Sequence, residues 1–317
     1  MNLTLRTIPD NEARTLVAGV SDIAYSEEFC ALQKKRYGMH SEFAGVYEND
    51  ALRAVIPVNY IPGEKAFSVH KDYTRPHVVS GGAIDWQEAA RALKDAYGVR
   101  YAELNVAGGA AGKSPLSAFV LTLPDGKTHD DIMGGYDKKT RNEVRKANKF
   151  NFILQTGGAE MLDAFWGLYR VNMKRHGTPP RSRPFFDELF GYYDGKCRII
   201  GAFDGDTLAG ANLFLMHNAY LRLALNVSDV AYWEKCVNDL LYDAMIAAYY
   251  AQGIRFFDFG PSLNKDVSHN RFKLGFGAQQ IPIVTYAAGS RWHAVRKWAA
   301  NKRHALRIRL RRTLQKP

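Results

Sequence analysis

Residues 45–52 read Gly-Val-Tyr-Glu-Asn-Asp-Ala-Leu, and residues 201–208 read Gly-Ala-Phe-Asp-Gly-Asp-Thr-Leu. In both stretches an apolar run ends in an acidic turn and a second apolar run begins, which is typical of two β-strands joined by a tight turn. A second similarity follows, between residues 97–104, Tyr-Gly-Val-Arg-Tyr-Ala-Glu-Leu, and residues 252–259, Gln-Gly-Ile-Arg-Phe-Phe-Asp-Phe. The offsets are 156 residues (45 to 201) and 155 residues (97 to 252). Two similarities at one offset indicate that one α/β unit occurs twice in the chain.

The length of 317 residues suits two domains, each large enough to bury a core of its own. We therefore predict one domain over residues 1–128 and a second over residues 129–290. With 46% hydrophobic and 12% aromatic residues, the composition is that of a globular protein rather than a disordered one.

Cysteine and histidine usage predicts neither disulfides nor a metal site. The three cysteines, Cys30, Cys197 and Cys236, have no paired spacing, and the nine histidines are scattered along the chain. The first ten residues lack the apolar core of a signal peptide, and no apolar run reaches the roughly 20 residues of a membrane-spanning helix. The sequence therefore predicts a cytoplasmic protein with reduced thiols.

The positive charge is concentrated at the C-terminus. The net charge is +11, yet Asp266 is the last acidic residue and twelve Lys or Arg residues follow it. Nine of them lie in residues 291–312, interleaved with tryptophan and aliphatic residues. This pattern predicts a basic amphipathic helix within residues 291–317 that binds an anionic polymer such as tRNA, or an anionic membrane surface. The alternative is a helix that packs its tryptophans on the protein body and leaves its charges solvated.

Periodicity and turn residues predict an ordered series of helices and strands in the second half, and the first half repeats the core of that series more loosely. For the second half the predicted helices and strands are helix 138–149, helix 159–176, helix 185–193, strands 197–203, 208–216 and 220–227, helix 234–252, and strands 255–259 and 281–287. For the first half they are strands 43–47 and 52–59, helix 86–97 and strand 101–106. The order is that of the GNAT acyltransferase fold. We therefore predict an α/β (α+β) chain with two tandem GNAT-like domains, each with a mixed central sheet.

Four short motifs occur in a fixed order in the second half. They are Tyr-Asp-Lys-Lys-Thr-Arg-Asn-Glu-Val-Arg-Lys-Ala at 136–147, Lys-Arg-His-Gly-Thr-Pro at 174–179, Phe-Asp-Phe-Gly-Pro at 257–261 and Arg-Phe-Lys-Leu-Gly-Phe-Gly at 271–277. Together they resemble the FemAB-like branch of the GNAT superfamily, also described as BioF2-like acetyltransferase domains. The resemblance is strongest over residues 135–285.

This resemblance implies a reaction type more firmly than a substrate. Proteins of this kind carry two GNAT-like domains and transfer an aminoacyl group from aminoacyl-tRNA to an amine of a peptidoglycan precursor, a phosphate-bearing molecule. Relatives from exopolysaccharide gene clusters have less settled substrates. The resemblance thus implies an acyltransferase or aminoacyltransferase that works in cell-wall biogenesis or on a related polysaccharide precursor.

No permanently bound cofactor is predicted; the co-substrate is aminoacyl-tRNA or acyl-CoA. GNAT enzymes that use CoA hold its pyrophosphate on a glycine-containing loop before the helix that follows the central strands. Here residues 228–236 read Ser-Asp-Val-Ala-Tyr-Trp-Glu-Lys-Cys, without glycine, which favours tRNA as the donor. Two alternatives stay open. One is a CoA-dependent N-acyltransferase acting on an amino sugar or amino acid, and the other is a non-catalytic scaffold that docks on nucleic acid or membrane.

Lys273 and Asp258 are the candidate catalytic residues. Lys273 lies among glycines, where its charge and nearby backbone can approach phosphate, and in similar proteins the matching lysine is associated with the phosphate-bearing substrate. The alternative for Lys273 is one more solvated base. Asp258 ends a predicted strand, where its carboxylate could accept the proton of the amine or orient a lysine. The alternative for Asp258 is a turn aspartate bonded to the backbone before Gly260.

Eight further residues are candidates for substrate binding. Arg141 and Arg145 share one face of a basic helix and suit phosphate or tRNA, while the others sit at helix ends or beside Lys273. The plainer alternatives are a solvated helix face, a helix-dipole contact of the histidine, and packing or capping. The set is Arg141, Arg145, Arg175, His176, Tyr232, Asn238, Phe272 and Gly275.

Overall fold

The computed structural model divides into two compact units, and neither is one continuous stretch of chain. The described residues are 3–62, 65–68, 75–108 and 114–289, so the predicted basic helix at 291–312 lies outside them. The first unit holds the residues up to 118 together with 261–267 and 280–289, and the second holds 119–260 and 268–279. The continuous domains predicted from the sequence, 1–128 and 129–290, differ from these units.

The helices and strands alternate along the chain in the order expected of an α/β protein. From the N-terminus to residue 107 they are β1 (Leu3–Thr7), α1 (Asp10–Val17), α2 (Glu27–Tyr37), β2 (His40–Glu48), β3 (Ala51–Ile61), β4 (Lys65–Ser68), β5 (His77–Val78), α3 (Trp86–Ala96) and β6 (Tyr101–Ala107). Next come β7 (Leu116–Thr122), α4 (His129–Gly134), α5 (Lys138–Ala147), β8 (Ile153–Gly157), α6 (Leu162–Arg175) and α7 (Arg183–Tyr192). The remainder are β9 (Cys197–Asp204), β10 (Thr207–His217), β11 (Tyr220–Ser228), α8 (Val237–Tyr250), β12 (Phe256–Asp258), β13 (Ser262–Leu263), α9 (Val267–Gly275) and β14 (Gln279–Gly289).

The sheet of the first unit has the strand order β1-β2-β3-β4-β6-β14, and β5 pairs with β3. Its neighbouring strands are antiparallel except β4 and β6, which are parallel. Helix α3 is capped at its N-terminus by Asp85, whose carboxylate accepts hydrogen bonds from the N–H groups of Gln87 and Glu88. Its buried residues Ala89 and Leu93 belong to the same core cluster as the strand residues Val46, Ile56 and Leu104.

In the second unit the strand order is β7-β12-β11-β10-β9-β8. Again one pair is parallel, β11 with β12, and the others are antiparallel. Helix α8 supplies the largest part of the core because almost every turn of it is apolar. Its residues Leu241 and Met245 are fully buried with Ile200, Phe214 and Phe257 from the strands.

The two units repeat the same hairpin, as the paired sequence stretches predicted. In the first, a Cβ on Gly45 would lie 2.5 Å from the ring of Tyr47 and 2.9 Å from the Leu52 side chain. In the second, a Cβ on Gly201 would lie 3.1 Å from the Phe203 ring and 2.9 Å from Leu208. In both hairpins the absence of a side chain on the glycine lets an aromatic residue two positions later and a leucine seven positions later cover the strand. Each hairpin is followed by a parallel pair of strands, β4 with β6 in the first unit and β11 with β12 in the second, so the two units share this arrangement as well.

The final strand of each unit comes from a distant part of the sequence. In the first unit β6 is followed by β14, whose Ile283 pairs with Ala107. In the second unit the antiparallel neighbour of β12 is β7, where Phe257 pairs with Leu121. The predicted strand 281–287 was expected to close the second domain. It lies in the first unit instead because its register and its buried Ile283 side chain match β6 and Ala118.

Helix α8 begins later than the predicted residue 234. Residues Val230–Lys235 form a 3-10 turn, and Cys236 has a left-handed backbone with φ of 55°. A left-handed residue cannot continue a right-handed helix, so α8 starts at Val237. Among the described helices, none combines the length and the apolarity needed to cross a membrane.

Candidate active site in the second unit

Strands β11 and β12 separate after only three residue pairs, the last being Arg222 with Asp258. Strand β11 continues to Ser228 and carries a bulge at Ala224, which has no partner of its own on β10. Ala224 is exposed although it lies in the middle of a central strand. Among the described strands β12 is the only neighbour on this side of β11, so residues 224–227 present backbone N–H and C=O groups that can bind an extended ligand.

Asp258 lies at this point of separation and is completely buried. Its Oδ1 accepts the N–H of Gly260 at 2.8 Å, and its Oδ2 accepts the hydroxyl of Tyr220 at 2.6 Å. The Nε of Arg222 is 3.9 Å from the same Oδ2. The turn contact with Gly260 that the sequence suggested is therefore present. The carboxylate also has the Tyr220 hydroxyl and the Arg222 guanidinium beside it, and these polar neighbours offset part of the free-energy cost of burying it.

Lys273 is the second buried charged residue of this cluster. Only 2% of its surface is exposed, its Nζ donates a hydrogen bond to the Gly260 carbonyl at 2.8 Å, and the same atom lies 5.1 Å from the centre of the Phe119 ring. Burial lowers its pKa to about 8; the Asp258 carboxylate opposes this shift, and Arg222 adds to it. Lys273 was expected in a glycine-flanked loop, but it lies in the last turn of α9. Its surroundings are those of a buried amine rather than of a solvated base.

Gly260 connects these two side chains. Its N–H is bound to Asp258, its carbonyl accepts from Lys273, and its φ of 75° lies in the left-handed region that favours glycine. A Cβ at this position would be 3.6 Å from the Leu223 carbonyl, so the turn lies directly beside β11. One left-handed peptide thus places Lys273 and Asp258 next to the open edge of the sheet. An amine whose pKa is near 8 can exchange a proton or supply a cation there.

Phe272 and Gly275, the predicted neighbours of Lys273 in the site, have packing contacts. The Phe272 ring meets Tyr242 edge-on at 4.9 Å. A Cβ on Gly275 would collide with the Thr140 hydroxyl, and the Gly275 carbonyl accepts the N–H of Asp137 at 2.8 Å. The glycine therefore lets α9 approach α5 closely. The structure brings neither residue to the cluster around Gly260.

The basic helix α5 is present at the predicted place. Arg141 donates to the Tyr136 carbonyl and, at 3.2 Å, to that of Gly134, so part of its donor capacity stabilises the preceding turn. Arg145 is exposed. Beside α5 lies a shallow groove of about 530 Å³ that contains both signs of charge. Its lining residues are Asp137, Lys138, Lys139, Asn142, Glu143 and Arg271.

A buried carboxyl group, Asp239, interacts with Glu143 of this groove. Asp239, in the first turn of α8, is 7% exposed, and its Oδ1 has no hydrogen-bond donor. Burial and the carboxylate of Glu143 raise the pKa of Asp239 to about 7. The described residues contain no group of three or more His, Cys, Asp or Glu residues arranged for a metal ion.

Arg175 and His176 lie at the end of α6. Arg175 donates from Nη2 to the Asn172 Oδ1 at 2.7 Å, and its guanidinium lies 4.6 Å from the centre of the Trp233 ring. His176 is the C-terminal cap residue and is exposed. The helix-end position that the sequence indicated for His176 is therefore observed, whereas Arg175 belongs to an aromatic contact that the sequence did not predict.

Tyr232 lies within the 3-10 turn, and Asn238 lies in the first turn of α8. The Nζ of Lys235 is 4.9 Å from the Tyr232 ring centre. Asn238 donates to the Ser228 Oγ at 3.2 Å and accepts from the Asn226 Nδ2 at 3.2 Å. Asn238 is thereby part of a polar network at the C-terminal end of β11.

Sequence reasoning missed most of this network. Asn172 donates to the Ser228 carbonyl at 3.1 Å, and Asn226 donates to the Asn212 Oδ1 at 2.8 Å. A usable signal existed, since Asn212 is a lone amide inside the apolar stretch 208–216 and is completely buried. An amide in such a place requires a hydrogen-bond partner, and the partner strand was predictable. Tyr220 and Arg222, which surround Asp258, were missed because nothing in their spacing indicates a shared carboxylate.

Comparison with known proteins places this geometry in a known fold. Residues 134–274 match the family model described as an acetyltransferase (GNAT) domain. Among solved structures, FemX is 12% identical, covering 92% of this chain and 98% of that one, with a TM-score of 0.66. The C-terminal domain (DUF2156) of a putative lysylphosphatidylglycerol synthetase from Agrobacterium fabrum is 11% identical, with coverage of 92% and 95% and a TM-score of 0.59. L-PGS from Bacillus licheniformis is 10% identical, with coverage of 90% and 93% and a TM-score of 0.51.

At such identities the structures show a shared fold. No curated protein matches the chain in sequence. The predicted fold class, α/β (α+β) of the GNAT type, is confirmed, and the domain match makes acyl transfer the reaction class of residues 134–274.

Proposed function

We propose that this protein transfers an acyl group, and specifically an aminoacyl group from aminoacyl-tRNA, to an amine of a cell-wall precursor or a related glycan or peptide. The proposal depends on one observation above all. The β11 edge opens at Ala224, next to a buried lysine and aspartate that share the Gly260 peptide. An open strand edge can hold a donor in an extended conformation, and a nearby cation can stabilise charge on its carbonyl oxygen.

Lys273 and Asp258 have complementary roles in this proposal. Attack of an amine on an ester or thioester places negative charge on the carbonyl oxygen, and a protonated Lys273 stabilises that charge. Asp258 raises the pKa of Lys273 against the effect of burial and so keeps more of the amine protonated. The proton that the attacking amine loses can pass to the leaving oxygen or sulfur, so no covalent enzyme intermediate is required.

Two features support aminoacyl-tRNA as the donor. The segment before α8 is a 3-10 turn that ends in a left-handed cysteine, where a CoA enzyme would carry its glycine-containing phosphate loop. Helix α5 carries exposed bases, among them Lys138 and Arg145, that can contact a nucleic-acid backbone. A CoA-dependent N-acyltransferase is the second candidate, supported by the acetyltransferase family model.

The acceptor class and location are part of the same proposal. The acceptor is an amine on a phosphate-bearing cell-wall or polysaccharide precursor, because the groove beside α5 combines carboxylates such as Glu143 with bases such as Arg271. Carboxylates suit an ammonium group, and the bases suit phosphate. We place the protein in the cytoplasm, with peripheral contact to anionic membrane through residues 291–312.

The test uses the whole protein with two labelled donors, aminoacyl-tRNA and acetyl-CoA, and a uridine-diphosphate-linked peptidoglycan precursor as acceptor. Aminoacyl transfer converts a base-labile ester into a base-stable amide, so label that survives mild alkali in the acceptor measures the reaction. Lys273→Met should lower that rate by about a hundredfold or more. Transfer from acetyl-CoA alone would favour the second candidate, and binding of tRNA without transfer from either donor would favour a scaffold.

A further inference from the structure

A surface patch at the C-terminal end of β11 has no role in the cluster around Lys273. It consists of Val171, Arg175, Val230 and Trp233, which we call the Trp233 patch. Trp233 is 49% exposed, Val230 is 52% exposed and Val171 is 63% exposed. Val171 lies one helical turn before Arg175 on α6, and Val230 shares the 3-10 turn with Trp233. Large apolar side chains clustered on a surface around a guanidinium often mark a binding site.

The Trp233 ring is held in one orientation from its buried side. Its Nε1 donates to the Ser228 Oγ at 2.9 Å, and the Arg175 guanidinium lies over the ring at 4.6 Å. Arg175 is itself fixed by its 2.7 Å hydrogen bond to Asn172. Asn172 and Ser228 are each only 3% exposed, so the anchors belong to the rigid interior. An exposed ring that has already lost its rotamer freedom binds a ligand without that entropic cost.

We propose that the Trp233 patch binds the adenine nucleotide at the end of the acyl donor. The inference rests on the proposed function, because aminoacyl-tRNA and acyl-CoA share this one element, an adenosine with a neighbouring phosphate. An indole face offers a stacking surface for any base. The adjoining guanidinium offers stacking and a charge for the phosphate. The patch adjoins Ser228, where the open edge of β11 ends, so a donor lying along that edge reaches it.

The charges around the patch favour this occupant over a sugar. Arg175 and Lys174 lie at the end of α6, and the Asp229 carboxylate interacts electrostatically with Arg175. Aromatic sites for sugars rely on carboxylates and amides directed to hydroxyl groups, whereas the group that lies over one face of this ring is a guanidinium. A guanidinium selects a planar base or an anion.

The experiment compares probes that differ only in the adenosine. For CoA the pair is coenzyme A and 4′-phosphopantetheine; for tRNA it is deacylated tRNA with its complete 3′ end and the same tRNA lacking the terminal adenosine. The variants are Trp233→Leu, Trp233→Phe and a control, Trp166→Leu. Trp166 is also stacked on an arginine, Arg170 at 4.8 Å, but lies elsewhere on α6. Binding is measured by calorimetry, and thermal melting checks that each variant is folded.

The wild type should bind whichever probe carries the adenosine about tenfold or more tightly than its truncated form. Trp233→Leu should abolish that difference, Trp233→Phe should restore most of it, and Trp166→Leu should leave it intact. In the transfer assay Trp233→Leu should raise the KM for the donor and leave kcat unchanged. Which pair shows the difference, the CoA pair or the tRNA pair, identifies the source of the adenosine.

The inference is overturned if a folded Trp233→Leu variant keeps the full preference for the adenosine-bearing probe. It is also overturned if that variant raises the KM for the acceptor and not for the donor, because the patch then binds the acceptor sugar. Both results leave acyl transfer itself intact. Absence of transfer in the wild type would instead refute the proposed function, so the two failures are distinguishable.

Discussion

Replacing Lys273 by methionine should make the second unit more stable while it lowers the transfer rate by about a hundredfold or more. The pKa of this lysine falls from an ordinary 10.5 to about 8 because the side chain is buried. Each pKa unit corresponds to about 1.4 kcal/mol, so holding the ammonium ion in the folded state at pH 7 costs about 3 kcal/mol. Methionine keeps the apolar length and removes the charge. The lost hydrogen bond to the Gly260 carbonyl costs about 1 kcal/mol, which leaves a net gain of about 2 kcal/mol.

The pH dependence gives the expectation a distinct signature. Between pH 8 and pH 10 the unfolded lysine is still protonated while the folded one has lost its proton, so the unfolded state binds more protons. The free energy of unfolding of the wild type must therefore rise as the pH increases through this window. Lys273→Met lacks the titrating group and should not show the rise, so the advantage of the variant should disappear near pH 10.

Urea unfolding at pH 7, 8.5 and 9.5 measures both effects, with Lys149→Met as the control. Lys149 is an exposed lysine just after α5, and its replacement should change neither the stability nor its pH dependence. A Lys273→Met protein that is less stable at pH 7, or that follows the wild type in parallel at every pH, would refute the reasoning. The first result would mean that Asp258 more than compensates the burial of the ammonium ion.

Four further outcomes are expected. Gly260→Ala should cost about 1–2 kcal/mol of stability, because its φ of 75° disfavours a Cβ, and should abolish transfer while the melting curve stays cooperative. Asp258→Asn should lower the pKa of Lys273 further and shift the alkaline limb of the pH–rate profile to lower pH. An unshifted limb would mean that Asp258 does not control the protonation of Lys273 during transfer. Burial raises the pKa of the Asp239 carboxyl to about 7 and its ionised form disfavours folding, so the wild type should lose stability as the pH rises from about 4 to 7. Asp239→Asn should not show this loss, and urea midpoints across the same pH range test the difference. Removal of residues 291–317 should spare both units and weaken salt-sensitive binding of tRNA or anionic vesicles; an insoluble product would contradict a partner-binding role for this segment.

Lys273 also shows how a site can conflict with local stability. A buried ammonium group, whose burial costs more than its contacts with Gly260 and Asp258 return, is retained in a unit that also contains an aromatic cluster formed by Tyr242, Phe259 and Phe276. A folded protein without need of this amine would gain stability by replacing it with an apolar residue. Such local conflict between packing and residue type is expected at functional positions.

The sequence by itself determined the elements and their duplication. Hairpins at Gly45 and Gly201, the helices α3 and α8 and the strands that follow them were predictable, because periodicity and turn chemistry act over a few residues. It also singled out Lys273 and Asp258. The sequence could not show that their common contact is the Gly260 peptide, since that depends on the backbone conformation of one turn.

Only the tertiary structure decided which strands belong together and which residues surround the site. Strand β14 joins β6 and strand β7 joins β12 because buried side chains and register select a partner far away in the chain. The same holds for Tyr220 beside Asp258 and for Arg175 over Trp233. Such contacts are formed by residues tens of positions apart, and their energies depend on burial and distance. Local sequence patterns carry neither quantity, whereas the packed fold fixes both.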